Sequence, residues 1–233
     1  MSLTLLRALY DPNAPLCAED EAFNEALAEV EGFRIAPQVY YLLKQQNRLK
    51  DVPPFFLDRL QKHCNQTLMQ NVFIKFETDQ LLQTFDEAGI RCKPLKGIRF
   101  AEKYFGHVAA RETTDIDLLV RREDVEAAVA CVKQRGFQME GKPIPSHFHC
   151  GFAKPLGGSP YPLSVEIHWD ILMNQTSNFV IEPFWERAAP LQPYRYVSEL
   201  SDQDAFYMIC LHGWKHAMDS LKYFIDIVQM LHA

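Results

Sequence analysis

Asp115-Ile116-Asp117-Leu118-Leu119-Val120 is the stretch on which the reading of this chain turns. Acid and apolar residues alternate through its first half and its second half is wholly apolar, the pattern of a strand whose far end enters a core. Residues two apart on a strand share a face, so the carboxylates of Asp115 and Asp117 project together while Ile116 and Leu118 face the other way. Two hard oxygen donors that converge at a strand edge make a cradle for one or two divalent ions, the latter spaced about 3.5–4 Å apart. The same residues also fit a turn entering a strand, with Glu166 farther on standing on a solvated face.

On either side, the period of the chain changes. Ile90 to Leu95 is a short run with a turn signal on each side, which predicts a strand, and Lys96-Gly97 leads into a short helix over Ile98 to Phe105. After Val120 comes a helix with acids in its first turn (Glu123, Asp124), Val125, Ala128, Val129 and Val132 inward, bases in its last turn and Gly136 at its end. Alternation returns in His147 to Phe152 and in Leu163 to Trp169, with Pro155 to Pro162 as the hairpin loop between them. The second of these strands carries Glu166, an acid between Val165 and Ile167 that requires solvent or a cation. If the two strands are neighbours, Glu166 supplies a third carboxylate beside Asp115 and Asp117.

The flanking regions are helical. Asp20 to Gly32 and Pro37 to Asn47 carry apolar residues at helical spacing. From Phe55 to about Ala88 no Gly or Pro interrupts a three-to-four spacing through Phe56, Leu57, Leu60, Cys64, Leu68, Val72, Phe76, Leu82 and Phe85, which predicts one long helix with at most one break. Asp202 to the end returns to helix, with Phe206, Ile209, Cys210, Trp214, Phe224, Ile227, Val228 and Leu231 expected inward. The fold class is α+β: a small mixed sheet within residues 89–196, a helical region over 1–88 and a helical tail over 197–233. The chain ends on an apolar helical stretch, which fits a shortened protein or a helix covered by a partner.

Composition bounds the function. At 233 residues, with 48% apolar and 23% charged residues, the chain builds a sizeable core, and disorder and collagen are excluded. A formal charge of -6 supplies no positive field for a long nucleic acid. Met1 to Tyr10 is too short an apolar stretch for a membrane span or secretion signal, and no window reaches the roughly eighteen apolar residues a span needs. Six cysteines are scattered singly, without a C-x-x-C pair, so reduced thiols in a cytoplasm are expected.

The order Leu95-Lys96-Gly97, Arg111, Asp115-Ile116-Asp117-Leu118-Leu119-Val120, a helix ending at Gly136-Phe137, and Val165-Glu166-Ile167-His168-Trp169 resembles the uncharacterised nucleotidyltransferases of the DNA polymerase beta-like superfamily. Leu211 to His216 and Leu221 to Ile227 are similar to that family's helical tail. The resemblance implies a metal-dependent nucleotidyl transfer. In it Asp115, Asp117 and Glu166 act as the catalytic acids and hold Mg²⁺, or Mn²⁺, against an NTP such as ATP: one ion activates the acceptor oxygen and another holds the phosphates. The wider superfamily places Gly-Ser ahead of the acidic pair, and here the place reads Lys96-Gly97. Lysine charge and free backbone N–H groups can bind phosphate there, while a turn glycine and a solvated lysine are the plain alternative.

Four further residues are candidate nucleotide contacts. Arg111 precedes the acidic pair in a polar loop, where its fork could clamp a phosphate or pair with Glu112 or Glu102. His212 and His216 are four apart on a helix and share a face; they line a nucleotide or acceptor pocket or pack the tail, and no third zinc ligand lies in the segment. His168, with His147 and His149, carries the same ambiguity. Two functions compete: an Mg²⁺-dependent transferase acting on an unidentified protein, RNA end or small molecule, and a catalytically inactive nucleotide-binding or protein-interaction module of the same fold.

Overall fold

The structure is a computed structural model that describes residues 3–16, 19–141, 147–156, 161–173 and 178–232. Its helices are α1 (Leu3–Ala8), α2 (Asp20–Gly32), α3 (Ala36–Gln45), α4 (Pro54–Glu87), α5 (Ile98–Phe105), α6 (Val125–Gln134), α7 (Glu182–Glu186), α8 (Asp202–Lys215) and α9 (Leu221–His232). The strands β1 (Cys92–Pro94), β2 (Asp115–Val120), β3 (Gln138–Met139), β4 (His149–Lys154) and β5 (Leu163–His168) form one mixed sheet in the order β1-β2-β5-β4-β3. Within this sheet β2 and β5 pair in parallel and the other described neighbours pair antiparallel. A second, two-stranded sheet joins β6 (Ala189–Pro190) to β7 (Ser198–Glu199). The α+β class expected from the periodicities is the observed one.

Two compact units divide the chain, and each draws on separated stretches. One comprises residues 1–72, 98–113 and 210–233, and the other 73–97 and 114–209. The first is helical, with a core that includes Phe23, Val30, Ile35, Val39, Leu43, Phe56, Leu60 and Phe105. Phe23 meets Phe56 edge-on at 5.2 Å between centroids. In the second unit one face of the β2–β5 pair carries the buried Ile116, Leu118, Val165 and Ile167, and Val132, Phe137, Phe152, Leu82 and Phe85 of the same unit are buried as well. This apolar face sets the register, because a slip of one residue would put Asp115, Asp117 and Glu166 where the apolar strand residues now pack.

Local chemistry sets the boundaries. Gly136, at φ 87°, ends α6 in the left-handed conformation that glycine adopts without a Cβ penalty, and the N–H of Phe137 reaches back to Val132 O. The hairpin expected between the strands joins β4 to β5 in antiparallel pairing, and residues 157–160 of its loop lie outside the described residues.

The structure corrects two expectations about burial. Helix α4 is unbroken, yet its buried stripe runs through Phe56, Leu60, Cys64, Thr67, Asn71, Ile74, Thr78, Leu81 and Phe85, leaving Val72 and Phe76 exposed. The 3.6-residue period carries Asn71 inward, and its side chain there donates to Val108 O and Arg111 O and accepts from Thr113 N. The tail is helical as expected and forms two helices, separated at Ala217 and Met218, which both take positive φ. Ser220 Oγ then accepts from Lys222 N at the start of α9. Trp214, Phe224 and Leu231, expected in the core, are exposed, because α9 buries Ile225, Asp226 and Gln229 instead.

Candidate functional site

The strand register assembles the acids. In the parallel β2–β5 pair, Asp115 stands opposite Ser164, Asp117 opposite Glu166, and Leu119 opposite His168. All six therefore share the face turned away from Ile116, Leu118, Val165 and Ile167. On the other edge of β5, Gly151 and His149 of β4 stand opposite Glu166 and His168. Two strands far apart in sequence thus contribute three carboxylates and an imidazole to one patch.

Within that patch, Asp117 is the floor. Its side chain is 3% exposed, whereas those of Asp115 and Glu166 are 29% and 37% exposed and form an open rim. Each oxygen of Asp117 faces a different cationic partner: Oδ2 lies 2.5 Å from Lys96 Nζ, and Oδ1 lies 3.1 Å from His168 Nε2. Lys96 also donates to Asp115 Oδ2 at 2.9 Å, and His168 Nε2 lies 3.1 Å from Glu166 Oε2. The lysine is held in place by its own backbone, since Leu95 N donates to Asp117 O at 3.1 Å and Gly97 turns the chain at φ 74°.

The charges in the patch sustain one another. Burial disfavours an ionised Asp117, yet Lys96 and His168 outweigh it and hold that carboxyl far below its ordinary range. The hydrogen bond from His168 likewise lowers Glu166, against burial and the repulsion of Asp117. In the opposite sense, burial works against both cations, but Asp117 and Asp115 keep the Lys96 ammonium above its usual pKa, and Asp117 and Glu166 do the same for His168. At neutral pH both Asp117 and Glu166 are ionised beside a charged lysine.

The other candidates lie elsewhere. Arg111 is 3% exposed and its Nε and Nη2 donate to the Asp226 carboxylate at 2.8–2.9 Å, with the guanidinium 5.3 Å from the Phe100 ring. His212 lies on α8 and His216 in the turn just past its end, so the pair expected on one helix spans a helix end; their ring centroids are 4.9 Å apart and both pack on Tyr223. Arg111 and these histidines belong to the helical unit, and the acids to the sheet unit. Among the described residues, the group whose ligand atoms all lie within 4.8 Å of one another is Asp117, Glu166 and His168. His168, expected as a nucleotide contact, stands in this group; the same-face rule that joins Asp115 to Asp117 also places it with Glu166 on one side of β5.

A family model described as an uncharacterised nucleotidyltransferase matches residues 20–233. The chain belongs to that family. No curated protein and no solved structure matches it. Membership makes the chain a transferase of the nucleotidyltransferase class, and two features of this nucleotidyltransferase fit a divalent cation. Carboxylate oxygens and an imidazole nitrogen converge from two strands, and a cation, the Lys96 ammonium, already bridges the two aspartates. Carboxylates that hold an ammonium between them present oxygens that a cation can use, and the lysine offsets part of their charge.

Proposed function

We propose that this nucleotidyltransferase moves a nucleoside monophosphate from an NTP to an acceptor hydroxyl with Mg²⁺ or Mn²⁺ bound at the acids of β2 and β5. The acceptor oxygen forms a bond to the α-phosphorus while the bond from that phosphorus to the bridging oxygen breaks. Pyrophosphate leaves with the electron pair and the hydroxyl proton passes to solvent. The convergence of Asp117, Glu166 and His168 on a chain of this family carries the reading.

Each residue has a part that its surroundings support. Asp115, Asp117 and Glu166 supply the negative charge that holds cations against the triphosphate. His168 fixes the orientation of Asp117 and Glu166 by facing both. Lys96, with Gly97 as the turn that aims it, brings fixed positive charge for phosphate oxygens. A divalent ion bound there neutralises phosphate charge and lowers the pKa of an oxygen it coordinates. In this reading residues 89–196 are the catalytic core, and the protein works in the cytoplasm, where scattered thiols stay reduced. Among the described residues no helix is long and apolar enough to cross a membrane. The acceptor is a protein, an RNA end or a small molecule, since a net charge of -6 opposes long nucleic acids.

The test is transfer of label from α-labelled NTP, with Mg²⁺, across a panel of acceptors. Wild type incorporates α-label and releases pyrophosphate, γ-label is not incorporated, and Asp117→Asn reduces incorporation by about 10²-fold or more. Incorporation unaffected by that substitution contradicts the assignment. One observation favours a second reading, a module that holds nucleotide without turnover: the paired aspartates already have a cation in Lys96. Calorimetry would then show metal-dependent NTP binding with no product on any acceptor.

A further inference from the structure

Helix α9 turns its apolar side outward. Its buried residues are Ile225, Asp226 and Gln229, while Phe224 and Leu231 are 47% and 69% exposed and Ile227 and Val228 are half-buried. Positions i, i+3, i+4 and i+7 line one side of a helix, so these four residues form a single apolar stripe facing solvent. Contiguous apolar patches on a protein surface mark places where something docks. The inward side is tied down by polar contacts. Asp226 accepts from Arg111 Nη2 at 2.8 Å, Gln229 Nε2 donates to Tyr104 O at 2.6 Å, and Tyr10 OH donates to Ile225 O at 3.3 Å. The helix is thus fixed to its own unit without needing Phe224 or Leu231.

We propose that α9 is a self-association surface, and that two copies of this chain pair antiparallel through it about a twofold axis passing between Ile227 and Val228. The inference concerns the helical unit and does not rest on the chemistry proposed above.

Three arguments select a second copy as the occupant. The first is charge. A twofold interface sets a patch against itself, so an exposed charge near the axis would meet its own image. From Tyr223 to Leu231 the one charged residue is Asp226, and it is buried against Arg111. The bases at the two ends are engaged within the unit: Lys222 Nζ donates to Glu112 O at 3.1 Å, and the His232 ring stacks on Tyr10 at 5.0 Å between centroids. The second is spacing. The stripe reads the same in both directions, with gaps of three, one and three residues, so about that axis Phe224 meets the partner's Leu231 and Ile227 meets the partner's Val228, each contact occurring twice. The third is extent. A standard interface buries about 800 Å² per partner, more than one four-residue stripe provides, so the pair forms reversibly and depends on concentration.

Sedimentation of the full chain over a range of concentrations tests the proposal. Wild type is expected as a monomer at about 1 µM and predominantly as a dimer at about 200 µM, the range of a small interface. Phe224→Glu and Leu231→Lys each remain monomeric at the higher concentration, because either homodimer would press a charge against an apolar side chain. Both positions are exposed, so both variants keep wild-type helix content by circular dichroism. Mixed in equal amounts, the two variants recover a dimer containing one copy of each: the introduced glutamate faces the introduced lysine on one side of the axis, and the other side keeps its Phe224–Leu231 contact. Dimers that both single variants retain, or a mixture that stays monomeric beside a dimeric wild type, overturn the proposal. So does a wild type that is monomeric throughout, and its binding to phosphatidylcholine vesicles, lost in Phe224→Glu, would then assign the stripe to a lipid surface.

Discussion

At the scale of single residues, buried charge is what distinguishes this protein from its composition. Arg111 and Asp226 make a buried bidentate pair in the helical unit, and each would be costly alone in the same place. Asp226→Ala is expected to destabilise that unit by about 3–5 kcal/mol, measured by denaturant unfolding; a change below about 1 kcal/mol would mean that water or another group replaces the carboxylate. Lys93 is a second case. It is 1% exposed, contacts Ser198 Oγ and stands 4.3 Å from the Trp185 ring. Burial, helped by Arg121, lowers its pKa from 10.5 to about 8 against the opposing pull of Cys92 and Asp204. Below about pH 8 the folded and unfolded chains both carry this proton and the buried charge weakens the fold. Between about pH 8 and 10.5 the unfolded chain alone keeps it, so stability rises with pH there and levels off above. The stability of wild type relative to Lys93→Met should therefore rise by up to about 1.4 kcal/mol per pH unit through that window. A difference independent of pH contradicts it.

At the scale of elements, the legible parts were those bounded by a change of period or by a turn residue. Asp115–Val120 and Ile98–Phe105 end where the alternation and the helical spacing end, and the helix after β2 stops at its glycine. The inner face of α4 was not legible, because a polar residue on the inward stripe reads as an interruption when its partners are unknown. Asn71 is that residue: its side chain serves two carbonyls and one N–H of the segment leading towards β2. An asparagine held at an inward helical position is the signal that was present. Asn71→Leu would leave those backbone groups buried without a partner and is expected to cost about 3 kcal/mol, seen as a loss of thermal stability with helix content retained. A neutral result would show that water reaches residues 108–113.

At the scale of the whole molecule, the sequence disclosed the class and the acids but not which stretches pack together. One unit gathers three separated segments and the other two, an arrangement to which periodicity is blind. The acids were recoverable because the two-residue repeat of a strand is rigid geometry: Asp115 with Asp117, and Glu166 with His168, must each share a face. What joined the pairs was the β2–β5 register, a non-local fact. Lys96 was legible as a cation ahead of the acids, but its place between them depends on the tie from Leu95 to Asp117. The account therefore stands on two strands meeting at one patch of metal-ligating side chains. Iron-directed cleavage reads that meeting directly, since Fe²⁺ bound in place of the native ion generates radicals that cut nearby backbone. The account predicts cuts in both β2 and β5, suppressed by Mn²⁺ and absent from Asp117→Asn. Cuts confined to one strand, or clustered at His212 and His216, would contradict it.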